Sequence, residues 1–120
     1  MQKVSAKAIT EIAVQSLLDF KAKDPVVMDL RKLENAAADY FVIAHGTSDT
    51  HIETMADKMV KNLRNELGEK PLHYEGRENA EWILLDYFDV VIHLFLKEKR
   101  EFYELESLWG DAEITSYDSE

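Results

Sequence analysis

The run EWILLDYFDVVIHLF, residues 81–95, constrains this chain more than any other segment. It is apolar enough for two buried strands, yet it carries Asp86 and Asp89 three residues apart. Strands over 82–86 and 89–95, turning on Tyr87-Phe88, put Asp86 opposite Asp89, Leu84 opposite Val91 and Trp82 opposite His93. Directly paired residues share a face, so Trp82, Leu84, Asp86, Asp89, Val91 and His93 are expected to point one way. Ile83, Leu85, Val90, Ile92 and Leu94 fall on the other face, which is wholly aliphatic and suited to packing on helices. A two-residue hairpin loop prefers Gly or Asn at positive φ, so Tyr-Phe is a poor turn. A bulge or a longer loop there would change the pairing.

The remaining chain supplies those helices. Ile9, Ile12, Ala13, Leu17 and Phe20 recur at three- and four-residue steps, predicting a helix over 5–22. Pro25 stops it and opens a short strand from Val26 to Leu30. DYFVIAHG, residues 39–46, reads as a strand buried on both faces. Gly46 ends it, and a long helix follows, capped by Ser48 or Thr50, with Ile52, Met55, Met59, Leu63 and Leu67 as its apolar stripe and Gly68 at its end. KPLHYEG gives a further short strand, and residues 97–112 one or two short helices on which Leu105, Leu108 and Trp109 pack inward. The order predicts an α+β domain: a mixed, roughly five-stranded sheet with helices packed on it. The domain is expected over 1–110, followed by an acidic, flexible tail over 111–120, frayed from Glu113.

Charge narrows the function classes. The net charge is −10, but residues 1–70 carry only −1 of it and residues 71–120 carry −9. A phosphate backbone needs clustered Lys and Arg, so nucleic-acid binding by the second half is disfavoured and a basic protein surface suits it better. Acidic charge that merely keeps the chain soluble is the plainer alternative. With no cysteine, disulfides, thiolate metal sites and a cysteine nucleophile are excluded. No apolar run approaches the length of a membrane span, and the sequence reads as that of a soluble, cytoplasmic protein.

Four uses of the two aspartates compete. As metal ligands they form a thin site, because His93 lies about 13 Å along the strand from Asp89 and His45, His51 and His73 fit no ligand spacing. As a general acid–base pair they lack a nucleophile motif. Gly46-Thr47-Ser48 before a helix suits a phosphate cradle, but suits a capped strand-to-helix joint equally well. As a recognition patch, Trp82 and Tyr87 anchor and Asp86 and Asp89 accept Lys or Arg. Against this stands the simpler reading, a core Trp and solvated turn aspartates.

Three stretches, ADYFVIAHGTSDTHIETMAD at 38–57, EWILLDYFDVVIHLF at 81–95 and REFYELESLWGDA at 100–112, resemble the ribosomal silencing factor family, also called RsfS or Iojap-related. The combination of Trp82, Asp86, Asp89 and His93 with Tyr103, Leu105, Glu106, Leu108 and Trp109 carries the resemblance. It implies a fold similar to that of nucleotidyltransferases, without their chemistry. It also implies a factor that binds the large ribosomal subunit at ribosomal protein fourteen, blocks joining of the small subunit and lowers translation when nutrients are short. Free members are often homodimers. By resemblance, Trp82, Asp86, Tyr87 and Asp89 are partner contacts, with no cofactor, no metal and no catalytic group; Leu84 and His93, on the same expected face, complete the expected partner-binding set. The family usually has Gly before the second Asp, where this chain has Phe88. The alternative is a divergent enzyme of that fold using Asp86 and Asp89 with magnesium, although the Asp-x-Asp pair such transfer needs is absent from the chain.

Overall fold

A computed structural model describes residues 4–117. The elements run α1 (Ala6–Asp19), β1 (Lys23–Asp29), β2 (Tyr40–Gly46), α2 (Asp49–Leu67), β3 (His73–Glu75), β4 (Trp82–Asp86), β5 (Val90–Leu96), α3 (Lys97–Tyr103), α4 (Leu105–Leu108) and β6 (Glu113–Ser116). The strands form one mixed sheet in the order β3-β4-β5-β2-β1-β6. Only β2 and β5 run parallel, and the other neighbours are antiparallel.

Both long helices start where the sequence offers an oxygen to the first turn. The Ser5 hydroxyl accepts from the Ala8 N–H at 3.1 Å and the Ser48 hydroxyl from the His51 N–H at 3.0 Å. Ser48, not Thr50, is therefore the cap of α2. At its other end Gly68 takes the left-handed conformation, φ 68°, and donates to the Arg64 carbonyl at 2.9 Å. Helix α1 ends at Asp19 rather than at residue 22, because Lys21 turns to φ 59°. Strand β1 begins before Pro25: Asp24, at φ 46°, sits where the pairing with β2 shifts register between Lys23 and Val26.

Helices α1 and α2 cover one face of the sheet. Ile83, Leu85, Val90, Ile92 and Leu94 are buried there against Ile9, Leu17, Met55, Met59 and Leu63, as the alternation of the 81–95 run requires. Burying each such side chain contributes about 1.5–3 kcal/mol. The other face, built on Met28, Phe41, Ile43, Val91 and Phe95, is covered only in part, by Leu33 and Ala36 of the β1–β2 connection and by Leu105, Trp109 and Ala112. Leu108 does not join them: it is 70% exposed.

The sheet has six strands rather than five. Glu113–Ser116, expected to fray, pairs antiparallel with β1 from Val26↔Ser116 to Asp29↔Glu113. All four residues are exposed, so backbone pairing rather than side-chain burial holds β6 at the edge.

Candidate functional site

The β4–β5 hairpin pairs Trp82 with Phe95, Leu84 with His93 and Asp86 with Val91. Each partner lies two residues beyond the one expected. Because side chains alternate with period two, an even shift leaves every strand residue on its expected face. Trp82, Leu84, Asp86, Val91 and His93 do share the face turned away from α1 and α2, and Phe95 joins them. Asp86 and Asp89 are not opposed, which removes the like-charge repulsion that the expected register carried.

The turn is made by Phe88 and Asp89, not by Tyr87 and Phe88. The Tyr87 N–H donates to the Val90 carbonyl at 2.9 Å, and the Asp89 N–H to the Tyr87 carbonyl at 3.0 Å. That second bond closes a three-residue γ-turn, and Phe88 at its centre has φ 73°, the rarer and strained form of that turn. The Asp86 carboxylate steadies the turn by accepting from the Phe88 N–H at 2.8 Å. The Asp89 carbonyl in turn accepts from the N–H groups of Asp39 and Tyr40, at 2.8 and 3.1 Å, fixing the tip against the start of β2.

Tyr87 consequently belongs to the strand and points to the helical side. It is 6% exposed within the α1–α2 core, so it is not a surface anchor. Its hydroxyl is buried without a hydrogen-bond partner among the described residues. Burial, with the nearby Glu69 charge, holds its pKa well above the ordinary tyrosine value.

His93 is on the expected face but beneath it, 4% exposed, and so is out of reach of a partner. Its Nδ1 accepts from the Trp82 indole N–H at 3.1 Å. Burial pushes its pKa down to about 4, which keeps the ring neutral and able to accept that bond. The Phe41 ring meets it edge-on at 4.7 Å. Trp82 is further held between Phe95, stacked at 5.0 Å, and Tyr103 at 4.6 Å. The indole is thus fixed on three sides by His93, Phe95 and Tyr103 while remaining partly exposed.

What remains open on this face is one row along β4: Trp82, Leu84 and Asp86, all half-exposed, with Asp89 half-exposed at the tip. Alternate residues on a strand are spaced about 7 Å apart, so the row presents an indole, an isobutyl group and a carboxylate over about 14 Å. Tyr103, 40% exposed against Trp82, extends it onto α3. Sequence reading placed Tyr103 in a motif without giving it this position, since nothing local ties residue 103 to residue 82.

The Gly46-Thr47-Ser48 segment is a capped joint. The Thr47 N–H donates to His51 Nδ1 at 3.0 Å, and His51 Nε2 meets the Phe20 carbonyl at 2.8 Å. Gly46 is needed for packing, since a Cβ there would come within 3.0 Å of His51 and Ile52. Among the described residues no group of three or more His, Asp or Glu side chains is placed to hold a metal ion. No helix among them is long and apolar enough to cross a membrane.

The chain is similar to proteins already known. A ribosomal silencing factor RsfS of Bacillus subtilis is 37% identical over 96% of this chain and 96% of its own length. A mouse protein named mitochondrial assembly of ribosomal large subunit protein 1 is 37% identical over 88% of this chain and 47% of its own. A crystal structure of a protein from Chromobacterium violaceum superposes with a TM-score of 0.83 at 33% identity, covering 89% of this chain and 88% of that one. Residues 3–120 match the family described as ribosomal silencing factor during starvation, and the chain belongs to that family, RsfS.

Proposed function

We propose that this chain is a translation repressor that docks on the large ribosomal subunit through ribosomal protein fourteen and sterically blocks joining of the small subunit when nutrients are limiting. It works by occupancy and not by catalysis, in the cytoplasm, and is a homodimer when free. The observation that carries the reading is the open β4 row. Trp82 is pre-oriented by His93, Phe95 and Tyr103, with Leu84 and Asp86 beside it on the sheet face turned away from α1 and α2. A rigid aromatic with an adjacent carboxylate is suited to a basic protein surface, because little side-chain entropy is lost on binding. The −9 charge of residues 71–120 favours encounter with such a surface. Membership of the family and the naming of the mouse relative for the ribosomal large subunit support the choice of target.

In this reading Trp82 and Leu84 are the apolar contacts, and Asp86 and Asp89 accept bonds from Lys or Arg. Tyr87 and His93 act from below, as supports. The test is sedimentation of purified subunits through sucrose, with the protein added before they are mixed. Co-migration with the large subunit and a diminished joined-ribosome peak are expected. Binding without loss of joining would overturn the blocking mechanism, and protein left at the top of the gradient would overturn the docking. Asp86→Ala with Asp89→Ala should weaken subunit binding by about 2–5 kcal/mol.

A further inference from the structure

The open row does not end at Trp82. Tyr103 lies 4.6 Å from the Trp82 ring, and Phe102 meets Tyr103 edge-on at 5.1 Å. An aromatic series therefore runs from the sheet out onto the end of α3. Phe102 is 76% exposed and Leu108, in α4, is 70% exposed, although Leu105 of the same short helix and Trp109 just after it are packed on the sheet. Isolated exposed apolar residues are ordinary, but this surface is continuous with the candidate site.

The charge around it is predominantly acidic. From Glu101 to Glu113 the chain has five carboxylates and no Lys, Arg or His. Of the preceding basic residues, Lys97 is exposed and shares a surface cavity with Glu101 and Glu104, and Lys99 is within 3.6 Å of Glu81. Arg100 is turned inward, where it pairs with Glu106 at 3.1 Å, donates to the Asp24 carbonyl at 2.8 Å and lies 3.0 Å from His45 Nδ1. The same network ties α3 and α4 to β1 and β2, so the exposed aromatics stand on an anchored support rather than on a loose end.

We propose that the α3–α4 elbow, with Phe102 as its apolar anchor and Glu101 and Glu104 beside it, is a second docking surface for the basic protein surface of the large subunit that the β4 row meets. The proposal rests on the docking reading above. Apolar area bordered by an excess of carboxylates fits protein carrying Lys or Arg and disfavours RNA phosphate. The complete footprint then runs from Asp89 at the hairpin tip, over Leu84 and Trp82, to Phe102.

Phe102→Ala removes a side chain that the core does not use, so thermal unfolding should be unchanged. Titrating purified large subunits with each protein, we expect this variant to bind at least about tenfold more weakly than wild type, the loss typical of an interface anchor. Glu101→Gln with Glu104→Gln should weaken binding and flatten its salt dependence. If wild type binds and Phe102→Ala binds equally well, the elbow is not a contact and the inference falls while the docking reading stands. If wild type itself does not bind, both fall. Tighter binding by the Glu→Gln pair would place phosphate opposite the elbow and overturn the choice of partner. If Phe102→Ala converts a dimer into a monomer yet keeps full subunit affinity, the elbow serves a second copy of this chain and the inference is again wrong.

Discussion

Protonation of His93 should cost this protein a defined part of its stability in mild acid. The ring is 4% exposed, and burial pushes its pKa down to about 4 from an ordinary 6.5. Its Nδ1 accepts the Trp82 indole N–H, a bond the imidazolium cannot accept. Because the folded-state value is depressed, the unfolded chain binds the extra proton first. Stability is therefore intact above pH 6.5 and falls as pH drops from 6.5 towards 4. A difference of about 2.5 pK units corresponds to about 3 kcal/mol once pH 4 is reached, with about 2 kcal/mol already lost at pH 5. His93→Leu keeps an apolar group of similar size among Phe41, Phe95 and Trp82 and removes the titrating ring. Urea unfolding of both proteins at pH 7, 6, 5 and 4 isolates the effect, since His45, also depressed by burial and by Arg100, contributes to the two profiles alike. The gap between wild type and variant should shrink or reverse by about 2 kcal/mol between pH 7 and pH 5. Parallel profiles would mean that His93 titrates normally, and would refute the argument that a neutral ring holds Trp82 in place.

Three further outcomes follow from the geometry. Phe88→Gly should stabilise the chain by about 1 kcal/mol in urea melts, because φ 73° burdens an L-residue whose side chain is 66% exposed. Gly76→Ala should destabilise by about 3 kcal/mol or more. Gly76 sits at φ 85° and an added Cβ would lie 1.9 Å from the Trp82 carbonyl oxygen, so the same variant should shift Trp82 fluorescence. Arg100→Met should cost about 3 kcal/mol by stranding Glu106 and the Asp24 carbonyl, and amide exchange should rise first in α3 and α4.

How much of this was legible in the sequence depends on what each feature is made of. The faces of β4 and β5 were readable because parity alone assigns them, and parity survives a register error of two residues. The register itself was not readable, since Phe88 carries no mark of positive φ; a Gly or Asn there would have announced the turn. Tyr87 was misassigned for the same reason. Moving the turn one residue along makes Tyr87 the last strand residue, and its side chain goes to the core. Strand β6 left no periodic signal because none of its residues is buried and its bonds to β1 are all main chain. Leu108 followed a helical step that a four-residue helix is too short to enforce.

The site divides along the same line. Its exposed members, Trp82, Leu84 and Asp86, are fixed by alternation within five consecutive residues and could be read directly. The groups that make them rigid come from separate parts of the chain: His93 and Phe95 across the hairpin, Tyr103 from α3, and Phe41 from β2. Their apolar and aromatic character could be read from the sequence, but their convergence on one indole could not, because it depends on β5 lying between β4 and β2 and on Arg100 drawing α3 against β1 and β2. In the proposed docking, the exposed residues make the contacts and the buried ones hold them in place. Substitutions that leave every contact residue in place, such as those at His93 or Arg100, should therefore weaken docking through the orientation of Trp82 and Tyr103.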